Sequence, residues 1–309
     1  MNAINRTVVT ELILLGFDHI QRWTGFLFIL FLIIYVLTVV GNLLIIILVS
    51  ISHRLQYPMY LFLRNLSLCE VLFTTNIVPK MLQVILQGRS SISFAGCLSQ
   101  LYVFAAAGIA ECLLLTSMSY DRYLAICKPL HYSSIMSFKQ HAYLVIFSWA
   151  CAIILPGISI SIICFLDFCG SNTIDHFFCD FAPLIKLSCS DTSTVEFEVF
   201  AQTIPVFLFT FIYIIGTYVN IFLAILKISS TVGRQKAFST CSSHLTVVSM
   251  YYGTMIILYV TPNKRQSLKM NKTFSLLYSV VTPLLNPIIY SLRNQEIRKS
   301  FSSLIFKKI

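Results

Sequence analysis

The sequence predicts an all-α membrane protein: a seven-transmembrane helix bundle followed by a short amphipathic C-terminal helix. Three observations support this prediction. Of the 309 residues, 57% are hydrophobic and 11% are charged, whereas a soluble domain carries about 25% charged residues. The mean hydropathy is +0.82. Seven apolar segments have the roughly 20 residues needed to cross a bilayer.

Three of the seven segments carry no charge. They are Thr24–Val49, Ala142–Leu166 and Val199–Leu226. Backbone groups find no water inside the hydrocarbon, so we expect helices, whose hydrogen bonds are internal. Helices buried in a soluble core are the alternative, but seven such segments in 309 residues favour a membrane protein.

The other four segments are apolar but contain charged residues, histidine or proline. They are Pro58–Val78 with Arg64 and Glu70, Cys97–Ile126 with Glu111, Asp121 and Arg122, Ala237–Val260 with His244, and Thr273–Leu292 with Pro283 and Pro287. We therefore divide the chain into an extracellular N-terminus, 1–23, a membrane domain, 24–292, and a cytoplasmic tail, 293–309.

Lysine and arginine positions orient the chain in the membrane. With the N-terminus outside, thirteen of these residues lie inside and nine outside, in agreement with the positive-inside rule. The net charge of +10 thus suits an anionic leaflet and a cytoplasmic partner rather than nucleic acid. Asn5-Arg6-Thr7 is an N-glycosylation sequon that this orientation makes usable. We expect a multi-pass plasma-membrane protein whose first span directs insertion, because residues 1–23 lack the pattern of a cleavable signal.

Four cysteines fall on the predicted outer side, which is oxidising. They are Cys97, Cys169, Cys179 and Cys189. Four cysteines allow three pairings, and the sequence does not choose among them. A zinc site that uses His176 and Cys179 is the alternative, but an even number of outer cysteines favours disulfides.

The residues after the seventh segment alternate between apolar and basic. Ile297, Phe301, Leu304 and Ile305 recur at helical spacing, and basic residues flank them. This pattern predicts a short amphipathic helix on the inner leaflet. A disordered tail is the alternative.

Two short motifs resemble those of rhodopsin-like G-protein-coupled receptors: Asp121-Arg122-Tyr123 ends the third segment, and Asn286-Pro287-Ile288-Ile289-Tyr290 lies in the seventh. Longer strings are similar to the odorant receptor family, in its class II (tetrapod-type) branch. They are PMYLFL from Pro58, MSYDRYLAIC from Met118, KAFSTCSSHL from Lys236 and PLLNPIIYSLRN from Pro283. The resemblance covers essentially the whole chain. Departures such as Glu70, where the family usually has Asp, leave it intact.

The resemblance implies disulfides Cys97–Cys179 and Cys169–Cys189 and an odorant pocket in the outer half of the bundle. It implies coupling to the olfactory stimulatory G protein, which raises cyclic AMP, in the cilia of olfactory sensory neurons. A same-family receptor with a non-olfactory chemosensory role is the alternative. A small-molecule transporter is a more distant one, since no inverted repeat is visible. No nucleophile–base constellation or phosphate-binding loop indicates an enzyme.

Two acidic residues, Glu70 and Glu111, lie midway along the second and third segments. Charged residues inside a membrane are costly and suggest function. Facing carboxylates repel unless a cation or a proton lies between them. The resemblance suggests a sodium site with Asn42, Asn286 and Ser117 as neighbours. Two protonated, hydrogen-bonded acids are an equally supported alternative, and we expect no other cofactor.

The resemblance also assigns a switch at the inner end of the bundle. Arg122 is expected to pair with Asp121 at rest and to cap carbonyl groups of a partner helix when the sixth span swings outward. The other residues assigned to the switch are Tyr123, Tyr218, Lys236, His244, Asn286, Pro287 and Tyr290. For His244, ordinary packing is the alternative.

The pocket should lie between the third, fifth and sixth spans, and thirteen residues are assigned to it, of which those on the third span share helical faces. The thirteen are Phe104, Ala105, Gly108, Ile109, Cys112, Gln202, Thr203, Val206, Phe207, Tyr252, Met255, Ile256 and Tyr259. For any single residue of the implied pocket, ordinary helix packing is as well supported as ligand contact. The set is mostly apolar, as small-molecule sites are. No charged residue lies at this depth in the third span, which disfavours amines and carboxylates. We expect a small, neutral, largely hydrophobic volatile with one hydroxyl, carbonyl or ether.

Overall fold

The computed structural model describes residues 9–16, 23–169, 171–260 and 267–306. Its long helices form a bundle of seven spans, as predicted. The first six spans are Thr24–Ile51, Pro58–Gln87, Phe94–Cys127, Phe138–Ile163, Ser193–Leu226 and Thr231–Val260. The seventh joins α-helix Ser267–Leu276, π-helix Leu277–Val281 and α-helix Thr282–Arg293. A final helix covers Gln295–Phe306.

Shorter elements connect the spans. They are the 3₁₀ turns His53–Leu55 and Pro129–His131 and the helices Tyr132–Ile135 and Phe181–Ile185. The second span begins at Pro58, where its fixed φ suits a first helical position. It ends at Gly88, whose φ of 73° is the left-handed conformation typical of a helix C-terminus.

Six helical stretches in the described residues are long and apolar enough to cross a membrane; the sixth span, Thr231–Val260, is the one outside this set. Its 30 residues nevertheless reach about 45 Å at 1.5 Å per residue. Large apolar side chains such as Ile33, Ile153 and Ile212 are more than half exposed on the outside of the bundle. Apolar surface of this kind is suited to lipid.

The spans are longer than the apolar segments that predicted them. The second was expected to end at Val78, but the helix continues through Pro79 and Lys80 to Gln87. The Lys80 ammonium donates to Gln83 and to the Ser91 carbonyl at the end of the bundle. A polar turn at a membrane surface remains helical because its charge can reach water, so hydropathy marks the hydrocarbon depth and not the helix end.

A three-stranded sheet at one end of the bundle was not predicted. β1 (Glu11–Leu15) lies in the middle, antiparallel to β2 (Arg89–Ser93) and parallel to β3 (Thr173–Ile174). Leu12 and Leu14 alternate inward and are fully buried. We call the end of the bundle that carries this sheet the sheet end. The pairing joins residues up to 160 positions apart along the chain, which local pattern does not reveal.

Both disulfides that the resemblance implied are formed at the sheet end. Cys97 at the start of the third span joins Cys179, with Cα atoms 5.4 Å apart. Cys169 joins Cys189 within the long loop between the fourth and fifth spans, with Cα atoms 5.9 Å apart. The long loop is therefore fastened to the third span, and this places its central part against the interior of the bundle.

Candidate ligand pocket and switch site

A cavity of about 540 Å³ lies between the third, fourth, fifth, sixth and seventh spans, next to the sheet end. Eleven of the thirteen predicted pocket residues line it. They are Phe104, Ala105, Gly108, Ile109, Cys112, Gln202, Thr203, Val206, Phe207, Met255 and Ile256. Gly108 on the third span leaves open space at the floor of the cavity, because it has no side chain. A Cβ added at this position would lie 3.5 Å from the Tyr278 hydroxyl.

Tyr252 was predicted to line the cavity, but it is not among the residues of this wall. It is buried, donates to the Thr210 hydroxyl at 2.7 Å and packs against Phe207 and Phe211. Tyr251 lines the cavity instead and donates to the Gly108 carbonyl at 3.0 Å. Tyr251 lies one helical turn before Met255 and Tyr252 one turn before Ile256, so helical spacing does not choose between the two tyrosines. The Tyr259 side chain lies outside the described part of the chain.

Several lining residues lie on elements that the sequence analysis left out. The fourth span contributes Pro156 and Ser159, the seventh contributes Tyr278, and the long loop contributes Asp180 and Phe181. One signal was available for the loop residues. Asp180 follows Cys179 directly, and the implied disulfide from Cys179 to the third span places both loop residues beside the pocket.

Asp180 brings an acidic group to a pocket that was expected to have none. One carboxyl oxygen accepts from the Phe181 backbone N–H at 2.8 Å and caps the short helix that follows. Burial raises the pKa of Asp180 above its ordinary value, although this hydrogen bond opposes the shift. The carboxyl is thus easier to protonate than an exposed one.

Two polar side chains of the cavity wall, Ser159 and Gln202, form a hydrogen-bonded row with Glu198. Ser159 Oγ donates to Glu198 Oε2 at 2.8 Å, and Gln202 Nε2 donates to Ser159 Oγ. The other end of the Gln202 amide, Oε1, is buried and has no hydrogen-bond partner among the described residues. A buried acceptor without a partner is costly, so this oxygen is a candidate contact for a ligand.

Glu70 and Glu111 face each other at mid-bundle and are 2% and 4% exposed. Their carboxyl groups interact directly, and Asn286 donates to Glu70. Four buried oxygens in this part of the bundle lack a partner among the described residues: Asn42 Oδ1, Glu111 Oε1, Ser279 Oγ and Asn286 Oδ1. Oxygens without donors fit a hard cation such as sodium. Ser117 bonds its own helix at the Leu113 carbonyl.

The end of the bundle opposite the sheet holds the predicted switch residues, and we call it the switch end. Asp121 is fully buried. It accepts from Arg122 Nη2 at 2.7 Å and from the Tyr132 hydroxyl at 2.7 Å. Tyr132 was not predicted, because it lies after the third span and reaches Asp121 only through the turn at 129–131. Both Asp121 oxygens thus have donors, which is how buried charge is tolerated.

His244 connects three spans at the switch end. Its Nε2 lies 3.1 Å from the Leu115 carbonyl and its Nδ1 lies 2.6 Å from the Tyr218 hydroxyl. Because a carbonyl only accepts, Nε2 carries the proton and Nδ1 accepts from Tyr218. His244 is therefore a hydrogen-bonded junction between the third, fifth and sixth spans.

The remaining predicted switch residues differ in their surroundings. Pro287 packs beside the first span, where an added Cβ at Gly41 would lie 3.3 Å from its ring. Tyr290 is 1% exposed, and Tyr123 has the Lys128 ammonium 6.0 Å from its ring centre. The Lys236 side chain lies outside the described part of the chain.

Comparison with known proteins identifies the family. The family described as olfactory receptor matches residues 31–308 of the chain. The chain belongs to the olfactory receptor family. Human olfactory receptors 11L1 and 10A7 are each 47% identical to it, over 100% and 99% of this chain and 96% of each relative. The crystal structure of squid rhodopsin matches with a TM-score of 0.75 and 18% identity, over 93% of this chain and 82% of that one, which shows the shared fold.

Membership settles the broad function of this olfactory receptor. Proteins of this family are multi-pass membrane receptors and not enzymes. Odorants and G proteins are their partners in general. The cavity is the candidate odorant site and the switch end is the candidate G-protein site.

Proposed function

We propose that this olfactory receptor binds a small, mostly hydrophobic, neutral volatile in the 540 Å³ cavity and activates the olfactory stimulatory G protein, which raises cyclic AMP. The observation that carries the ligand class is the cavity wall. It is mostly apolar along the third, fifth and sixth spans, as sites for small apolar ligands are. Asp180 is an acidic residue of the described wall, but it caps the short helix that begins at Phe181, so the ligand class is proposed from the apolar residues.

Activation would travel through the sixth span. Cys112 lies 3.0 Å from the Tyr251 hydroxyl, which itself donates to the Gly108 carbonyl. A ligand that contacts this floor displaces the sixth span relative to the third. The same sixth span carries His244, whose bonds to Leu115 and Tyr218 hold it at the switch end. Their rupture would free the span to swing and Arg122 to leave Asp121.

A screen of neutral volatiles against cells that express the chain, read as cyclic AMP, tests the ligand class. Gly108→Leu should then raise the half-maximal concentration at least about 100-fold, because the added side chain fills the cavity floor near Tyr278. Gly216→Leu is the matched control, since an added Cβ there meets nothing within 4 Å. Responses to amines or carboxylic acids alone would overturn the neutral-ligand proposal. An equal loss in both variants would contradict the placement of the site.

We also propose a sodium ion between Glu70 and Glu111, supported by the buried oxygens without donors around them. The alternative is a protonated pair that shares a hydrogen bond. Replacing sodium by a large organic cation should change the basal signal of the native receptor. Glu111→Gln should abolish that change, because it removes a charge that a cation needs. Sodium sensitivity that persists in Glu111→Gln would leave the protonated pair as the better account.

The sheet end faces outward in this proposal, with the N-terminus outside the plasma membrane of olfactory cilia. The excess of lysine and arginine at the switch end supports this orientation. An epitope placed before residue 9 should be stained on intact cells, whereas one placed after residue 306 should need permeabilisation. The predicted glycosylation of Asn5 lies outside the described residues, and loss of a glycan in Asn5→Gln would test it. The reverse staining pattern would refute the orientation.

A further inference from the structure

The two hydrogen bonds that join Gln202, Ser159 and Glu198 have a donor-to-acceptor order that the chemistry of the three groups imposes. A serine hydroxyl has one proton to donate. An ionised carboxylate has none, so the 2.8 Å contact between Ser159 Oγ and Glu198 Oε2 uses the serine proton. Glu198 is partly exposed, so water can solvate its charge. Ser159 can then only accept from Gln202.

This donor-to-acceptor order orients the Gln202 amide. The amide has an NH₂ end and a carbonyl end, and the NH₂ end must face Ser159. If the amide were rotated by 180°, its carbonyl would face a serine oxygen that has already given its proton away. Two acceptors would then meet in a buried site, which is unfavourable. The Gln202 carbonyl is therefore left on the far side of the amide, where it is buried and without a partner among the described residues.

The rest of the polar wall is mixed, because Thr203 and Tyr278 also line the cavity with hydroxyl groups, so the acceptor is assigned from Gln202 alone. The Tyr251 hydroxyl lines the cavity, but its proton goes to the Gly108 carbonyl. Asp180 offers carboxyl oxygens from the long loop. The side of the cavity between the fourth and fifth spans thus presents an acceptor whose orientation is set by Glu198.

We propose that the receptor selects odorants that carry a hydroxyl donor, alcohols or phenols, over ketones and ethers of the same skeleton, and that Glu198 sets this preference as a positioning residue through Ser159 and Gln202. The inference rests on the proposed function, since it narrows the ligand class of the same cavity. A ketone or ether places a second acceptor against the Gln202 carbonyl. A lost hydrogen bond to a buried acceptor corresponds to a roughly 10- to 100-fold change in affinity.

The test uses matched probes on full-length receptor in cells, read as cyclic AMP. One set is cyclohexanol, cyclohexanone and methoxycyclohexane; a second set is a secondary octanol with its ketone and methyl ether. We expect the alcohol of an active set to have a half-maximal concentration about 10- to 100-fold below that of its ketone. Surface staining of an epitope normalises each variant.

Glu198→Gln is the decisive variant. It removes the carboxylate that fixes the donor-to-acceptor order of the row, and it does not remove a ligand contact. A glutamine at this position can donate to Ser159, and the serine proton can then turn to Gln202. The Gln202 amide is free to present its NH₂ end, so the alcohol preference should fall to about unity or invert in favour of the ketone. Glu196→Gln is the matched control: it makes the same charge change two residues away, where the carboxylate bonds Thr192 at 2.6 Å and does not line the cavity.

A second pair of variants tests the same step. Ser159→Ala removes the link between Glu198 and Gln202 and should lower the alcohol preference even if Glu198→Gln fails to reach the surface. Gln202→Leu removes the acceptor and should weaken the alcohol more than the ketone.

The outcomes separate the inference from the proposed function. Ketones or ethers that equal the alcohols in the native receptor overturn the inference and leave the proposed function standing. An unchanged preference in surface-expressed Glu198→Gln and Ser159→Ala overturns the positioning role. If a broad neutral panel, including both sets, evokes no response from receptor at the surface while charged volatiles do, the proposed function is overturned, and the inference with it.

Discussion

The two ends of this bundle are held together by different kinds of bond. The sheet end has two disulfides, a β ladder and the buried Lys272, which donates to the Gly16 carbonyl at 2.9 Å and to Asp175 at 2.5 Å. The switch end relies, among the described residues, on side-chain hydrogen bonds around Asp121 and His244. Covalent and backbone links hold one geometry, whereas side-chain bonds of about 1–3 kcal/mol each can break and re-form.

This difference indicates which end of the bundle can change its conformation at a small cost in free energy. A pocket that must keep its shape lies beside the rigid end, next to the loop that Cys179 fastens. A switch that must change lies at the end where each bond is weak on its own. The long sixth span connects the two, with Tyr251 at the pocket and His244 at the switch.

The largest effect that would test this comparison is loss of the disulfide at the sheet end. Cys97→Ser should destabilise the receptor by about 2–5 kcal/mol and remove most of it from the cell surface, because Asp180 and Phe181 would no longer be held at the pocket. Surface staining and the unfolding temperature of purified receptor measure this. Cys164→Ser is the control, since Cys164 is a free and exposed cysteine. Equal surface levels for the two variants would show that the sheet end does not depend on the Cys97–Cys179 disulfide for its stability.

A second, smaller effect concerns pH at the sheet end. Burial, together with the nearby charge of Lys272, lowers the pKa of His176 from 6.5 to about 3, while Asp175 opposes the shift. The folded pKa lies below the unfolded one, so the unfolded chain binds more protons between these values. The contribution of His176 to the free energy of unfolding is fully present above about pH 6.5 and is lost as the pH falls toward 3.

At pH 5 the expected loss is about 2 kcal/mol. The unfolding temperature of purified receptor should therefore fall between pH 7 and pH 5. The His176 ring packs against Phe177 and Phe178, and a phenylalanine ring can fill the same place without taking a proton, so His176→Phe should reduce that fall. His131→Phe, at an exposed position, should retain the native slope. A native slope in His176→Phe would assign the pH response to other groups.

The sequence predicted more of the helices than of the contacts between them. The resemblance placed the pocket, and the 3.6-residue helical period placed Gly108 on the face of the third span that lines it. The same period could not choose between Tyr251 and Tyr252, which each lie one turn before a residue of the wall. The polar row of Glu198, Ser159 and Gln202 was beyond reach, since it joins spans whose relative rotation depends on the packing of the whole bundle.

Residues outside the spans were the least predictable. Asp180 and the strand Glu11–Leu15 take their places through partners far away in sequence, Cys97 and the strand Arg89–Ser93. The short motifs were informative where chemistry is local: Asp121 and Arg122 are adjacent and pair directly. Even there, Tyr132 was missed because a turn, not a periodic pattern, brings it to Asp121.

The smallest predicted effect is at the switch end and concerns that tyrosine. Tyr132→Phe removes the donor to Asp121 Oδ1 but leaves Arg122, which donates to Oδ2, in place. Tyr132 is partly exposed, so water can replace its hydroxyl, and the net loss should be about 1 kcal/mol. The resting pair is weakened by that amount, so the ratio of active to resting receptor, read as basal cyclic AMP per receptor at the surface, should rise about five-fold. Tyr143→Phe, on an exposed face of the fourth span, should leave the basal signal unchanged. If Tyr132→Phe instead lowered surface expression as far as Cys97→Ser does, the switch end would be a structural anchor like the sheet end, and the distinction between a rigid pocket and a reversible switch would fail.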